Sequence, residues 1–118
     1  MTKRRVVITG LGLITPVGIG VKESWSNILN GISGITKITK FDATNFKSQV
    51  AGEVKNFNPD PYLNPKDSRR MDTFIQFGLV AAIEAIRDSG IEINEENSER
   101  IGVSIGSGIG GINLIEEP

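Results

Sequence analysis

Val6-Val7-Ile8-Thr9-Gly10 is the stretch on which the reading of this chain turns. Four consecutive β-branched residues stop at a glycine. A short apolar run of this kind predicts a strand covered on both faces, as in the sheets of α/β folds. The adjoining residues, Gly10-Leu11-Gly12-Leu13-Ile14-Thr15-Pro16-Val17-Gly18, are too rich in Gly and Pro for helix. They read as a turn or an irregular extension of the strand. Ile101-Gly102-Val103-Ser104-Ile105 repeats the opening pattern near the other end and runs into Gly106-Ser107-Gly108-Ile109-Gly110-Gly111.

Between these runs the spacing predicts helices. Val21, Trp25, Ile28 and Leu29 fall at i, i+4, i+7 and i+8, one apolar face with Trp25 in the core, and Gly31 stands where a left-handed cap wants glycine. Residues 32–48 read as loop with room for a short strand, and 50–54 as a second strand. Pro59, Pro61 and Pro65 mark a surface connection. Asn64-Pro65-Lys66-Asp67 is a helix start: Asn64 caps, Pro65 suits the first turn, and Asp67 favours the positive end of the dipole. That helix is expected to end or bend near Met71, and a longer one to run to Ser89 before Gly90. Ile75, Leu79, Ile83 and Ile86 mark one stripe on it; Phe74, Phe77, Ala81 and Ala85 mark a second. Two apolar sides predict a helix held between layers. Residues 92–100 read as a solvated link, and 112–117 as the start of a helix. Strand, helix, strand, helix, strand predicts a layered α/β fold. A close on a glycine loop and one nascent turn predicts that residues 1–118 form an incomplete domain.

Composition narrows the chemistry. The 118 residues include no Cys and no His. That excludes a disulfide framework, a thiolate nucleophile, Cys-ligated zinc and the commonest general base. Net charge is −1, which gives no case for bulk nucleic-acid binding. The charges are unevenly placed: residues 1–70 carry 11 basic and 5 acidic side chains, whereas residues 71–118 carry 2 basic and 9 acidic. The first part therefore offers a basic surface to an acidic partner. Lys3, Arg4 and Arg5 before an apolar run have the outline of a signal peptide. Gly10, Gly12, Pro16 and Gly18 break the run, and no cleavage site comes after it. No segment is long and apolar enough to span a membrane. The expectation is a soluble, cytoplasmic protein.

Three constellations bear on function. Gly106, Gly108 and Gly111 match G-x-G-x-x-G, which can hold a pyrophosphate at a helix N-terminus, but no acidic residue stands about 20 positions on. The competing reading is a tight turn where backbone or an acyl chain passes close. Lys66, Arg69 and Arg70 are spaced i, i+3, i+4, so one helical face presents three cations, with Asp67 beside them. They are either a docking patch or a solvated face. Asp72, Glu84 and Asp88 provide carboxylates, with Glu84 and Asp88 at i, i+4, but no His supports them as an acid/base or metal set, and the solvated-face reading is preferred.

Arg4-Arg5-Val6-Val7-Ile8-Thr9-Gly10-Leu11-Gly12-Leu13-Ile14-Thr15-Pro16-Val17-Gly18, together with Phe41-Asp42, Arg70-Met71-Asp72-Thr73-Phe74-Ile75-Gln76-Phe77-Gly78 and Gly106–Gly111, resembles the β-ketoacyl-acyl-carrier-protein synthases. The last two stretches resemble the type II enzymes of bacterial fatty-acid synthesis more than type I. The likeness covers essentially the whole chain. It implies a thiolase-like fold, layered α-β-α-β-α, working as a homodimer. It implies condensation of an acyl primer with malonyl-acyl carrier protein and loss of CO2, with no cofactor and no metal. A Cys nucleophile and two His carry that chemistry in the family. None is present here, so no catalytic residue is assigned, and the chain alone is expected to be inactive. By position, Ile109 matches the residue that gates the acyl pocket, in a structural loop of Gly106, Gly108, Gly110 and Gly111. Lys66, Arg69 and Arg70 match the patch that docks acyl carrier protein. Two rival functions remain: a non-catalytic module binding acyl carrier protein, and a nucleotide-binding domain using the glycine loop.

Overall fold

The computed structural model describes residues 2–116. In chain order these form β1 (Ile14–Thr15), β2 (Gly18–Ile19), α1 (Val21–Leu29), β3 (Ile35–Lys37), β4 (Val50–Gly52), α2 (Pro65–Ser68), α3 (Thr73–Ser89), a 3-10 turn at Ser98–Arg100, and α4 (Ile112–Glu116). The residues divide into two units: Gly12–Asn58, and the residues up to Leu11 together with those from Pro59 onward.

In the unit Gly12–Asn58, Pro16 and Val17 turn β1 back onto β2 in antiparallel register, Ile14 opposite Ile19 and Thr15 opposite Gly18. Helix α1 rests on this hairpin through a polar face. Ser24 is fully buried. Its hydroxyl donates to the Gly18 carbonyl at 3.1 Å and lies 2.8 Å from Thr15 Oγ1. Asn27 Nδ2 donates to the Val17 carbonyl. The inner face is therefore Val21, Ser24 and Asn27, and the expected core position of Trp25 is corrected: it is 56% exposed. One residue is about 100° of helix rotation, so burying Ser24 turns its neighbour outward. Strands β3 and β4 pair antiparallel, Thr36 opposite Ala51, and the loop between them is pinned by Phe41 set edge-on to Phe46 at 5.7 Å.

In the other unit, α3 is the organising element. Asp72 caps its start by accepting from the Thr73 amide, and Gly90 closes its end at φ 66. Its buried centre is Val80, 1% exposed, which lies in neither expected stripe. Phe74, Ile75 and Ile86 stay partly in solvent. The expected helix over 112–117 is α4, with Glu117 outside the described residues. Two expectations are corrected. Val6–Thr9 and Ile101–Ile105 form no strand ladder among the described residues, and Val6 and Val103 are 91% and 80% exposed. β-Branching favours extended backbone, but a strand exists only where a second backbone supplies the ladder. The C-terminal ends of both runs nevertheless reach α3, at Gly10-Leu11 and at Ile105. A Cβ on Gly10 would meet the Ala85 carbonyl and, at 2.8 Å, the Ser89 nitrogen; the Leu11 amide donates to Asp88 Oδ2 at 3.0 Å. A Cβ on Gly78 would stand 3.6 Å from the Ile105 side chain. No helix among the described residues is long and apolar enough to cross a membrane.

Candidate functional site

The three cations sit on and just after α2. Asn64 Oδ1 accepts from the Lys66 amide at 2.9 Å, and Pro65 opens the turn. Arg69 and Arg70 continue it, their amides donating to the carbonyls of Pro65 at 3.2 Å and Asp67 at 3.0 Å. Lys66, Arg69 and Arg70 are all exposed. Asp67 is exposed as well, and no ion pair among the described residues neutralises the three cations. A helix of four residues does not hold itself together in water. This one is tied to α3 on both sides. Arg87 lies over the Tyr62 ring, 5.3 Å from its centroid, ahead of α2. Behind it, Gln76 Nε2 donates to the carbonyls of Ser68 at 2.9 Å and Met71 at 3.0 Å.

The N-terminal half of α3 also forms one wall of an apolar groove of about 450 Å³. Phe74, Ile75, Gly78 and Leu79 face the stretch Ile105–Ser107 across it. The size falls in the range of small-molecule pockets. Past the groove the chain turns through Ile109, 76% exposed, into Gly110 and Gly111. These two have φ 65 and 44, and both press on the start of α3. A Cβ on Gly110 would stand 2.6 Å from the Phe74 ring, and one on Gly111 would collide with Asp72 Oδ2. Gly106 and Gly108 have open space where a Cβ would stand. The loop is thus seated at its second pair of glycines and free at its first.

Asp72 spends one oxygen on the α3 cap, Oδ1 accepting from the Thr73 amide at 2.6 Å. Its Oδ2 is buried without a partner. An Asp just before an apolar-periodic run is the signal for this role. Asp88 likewise serves structure, through Leu11. Gln76 was missed by sequence reasoning, because its partners are carbonyls that no residue pattern reveals. Among the described residues no group of three or more His, Cys, Asp or Glu gathers to hold a metal.

Residues 3–117 match the family described as "Beta-ketoacyl synthase, N-terminal domain". The chain is 57% identical over 116 residues to 3-oxoacyl-[acyl-carrier-protein] synthase 2 of Vibrio cholerae, covering 98% of this chain and 28% of that protein. It is 51% identical over 117 residues to the protein of the same name in Coxiella burnetii, covering 99% of this chain and 28% of the relative. The Staphylococcus aureus protein of that name is 50% identical over 113 residues, 96% of this chain and 27% of that one. Among solved structures, "The ishigamide ketosynthase/chain length factor" superposes with a TM-score of 0.67 at 36% identity, over 77% of this chain and 23% of that one. The chain spans a little over a quarter of the length of the curated relatives it matches.

Proposed function

Since this chain belongs to the β-ketoacyl synthase family, matching its N-terminal domain and sharing its thiolase-like α/β fold, we propose that it is the opening portion of a 3-oxoacyl-[acyl-carrier-protein] synthase of the second type. The observation that carries this reading is 57% identity sustained over 98% of the chain. The reaction is a decarboxylative condensation. An acyl group passes to an enzyme thiol; malonyl-acyl carrier protein loses CO2; the resulting enolate carbon attacks the acyl thioester and the thiolate leaves. The nucleophilic Cys and the two His come from outside these 118 residues, which contain neither type. The likeness to the family carries with it a cytoplasmic homodimer.

The chain's own share is recognition. Lys66, Arg69 and Arg70 face an acidic carrier, where opposite charge speeds encounter and fixes orientation. Phe74, Ile75, Leu79 and Ile105 give an acyl chain an apolar wall. Ile109, a branched side chain beside the seated Gly110 and Gly111, gates that groove.

The test is a chimaera in which these 118 residues replace the matching N-terminal part of the Vibrio cholerae relative, assayed for 3-oxoacyl-acyl carrier protein. Condensation by the chimaera and none by the 118 residues alone is the expected result. A folded chimaera that binds acyl carrier protein but makes no product points instead to the non-catalytic carrier-binding module.

A further inference from the structure

The docking cations and the apolar groove lie on separate stretches of chain, yet both are built against the first two turns of α3. Gln76 is where they meet. Its amide nitrogen has two hydrogens, and both are used: one goes to the Ser68 carbonyl at 2.9 Å, the other to the Met71 carbonyl at 3.0 Å. Ser68 ends α2, and its carbonyl accepts from the Met71 amide at 3.1 Å as well as from Gln76, so Gln76 secures a turn that the backbone has already closed. Ser68 is itself buried, 5% exposed, and its hydroxyl donates back to Pro65 at 3.2 Å. The bonds from Gln76 thus hold the α2 turn from behind, while Lys66, Arg69 and Arg70 stay in solvent in front. On the same first two turns of α3, Phe74, Ile75, Gly78 and Leu79 form the groove wall. Gln76 has no atom in the groove lining and no charge to offer a partner.

We infer that Gln76 is a positioning residue: it fixes the α2 cations relative to α3, so that a carrier docked on them presents its acyl chain to the groove. This rests on the proposed condensing function, and it adds a residue that touches neither the carrier nor the acyl chain. Its consequence is selective. Losing the two bonds should hurt substrates delivered by a carrier and spare the same acyl groups delivered without one.

The experiment uses the chimaera with Gln76→Met, which keeps side-chain length but has no donor, and with Gln76→Glu as a second variant that also lacks it. KM and kcat are measured with acyl and malonyl groups on acyl carrier protein, and again as carrier-free N-acetylcysteamine thioesters. The expected result is a KM for the carrier-borne substrate raised about tenfold, the scale of one or two lost hydrogen bonds. Both constants for the free thioesters stay within about twofold, inside the usual spread for a change that removes no substrate contact. Equal losses with both substrate forms would mean that Gln76 merely supports the fold, and an unchanged carrier KM would mean that it positions nothing; either overturns the inference. If the unsubstituted chimaera makes no product, the condensing reading fails, and titration with acyl carrier protein alone decides the inference: weaker binding in both variants supports it, equal binding overturns it.

Discussion

At Gly110 and Gly111 the backbone does what only glycine does without strain. Positive φ costs other residues about 1–2 kcal/mol, and here a Cβ would also run into the Phe74 ring or Asp72 Oδ2. Gly110→Ala and Gly111→Ala should each lower chimaera stability by roughly 2 kcal/mol or more. Gly106→Ala and Gly108→Ala, with open space around them, should stay within about 0.5 kcal/mol. Thermal melts of the four variants check this, and equal losses across the loop would refute it. The G-x-G-x-x-G spacing did not reveal the division, because a motif counts glycines and cannot tell which ones press on a neighbour. Trp25 teaches the same lesson in reverse. Apolar spacing put it inside, yet Ser24 and Asn27 take the inner face, where their short side chains donate to the Gly18 and Val17 carbonyls of the hairpin.

Elements governed by local chemistry were legible; those governed by distant partners were not. The Asn64 cap, Pro65 and the glycines Gly31 and Gly90 are each a matter of a few consecutive residues, and α1, α2 and α3 stand where those signals place them. The runs Val6–Thr9 and Ile101–Ile105 depend on a ladder, and sequence pattern does not say which backbone supplies it. The β3–β4 hairpin carries a local clamp of another kind. Glu53 accepts from the Thr39 hydroxyl at 2.7 Å and from the Thr39 amide at 3.1 Å, with Lys40 nearby. The Thr39 hydroxyl bond, then the amide, holds the Glu53 carboxyl below its ordinary value of 4.5. A carboxyl depressed in the folded state stabilises it at pH values above the ordinary value. That contribution is lost as pH falls through the depressed one. The clamp should therefore persist at pH 4.5 and release only in stronger acid. NMR titration of the Glu53 carboxyl and the Thr39 amide should give a shared midpoint below 4.5. A midpoint at or above that value would show the bonds to be absent in solution.

Taken whole, the molecule is unusually wet for its mass. A compact 12.7 kDa monomer exposes about 6,200 Å², and two separate globules of half that mass about 7,500 Å². This chain exposes 10004 Å². Large apolar side chains lie open: Val6, Ile8, Trp25, Leu29, Val103, and Ile112, Leu114 and Ile115 of α4. Apolar surface on this scale drives association. Alone, the 118 residues should sediment as aggregates, bind a hydrophobic dye and melt without a sharp transition; a soluble monomer with a cooperative melt would contradict this. Neither expected stripe of α3 is fully covered, and only Val80 among its residues is sealed. The open surface also has a bearing on synthesis. The relatives run to about 400 residues, since 116 make up 28% of one. At roughly 5–20 residues per second, the remaining 300 or so take about 15–60 s to emerge. On the proposed reading, each new chain therefore spends that interval at the ribosome with its future interior turned outward, and its yield in the cell depends on what shelters it until its sequel arrives.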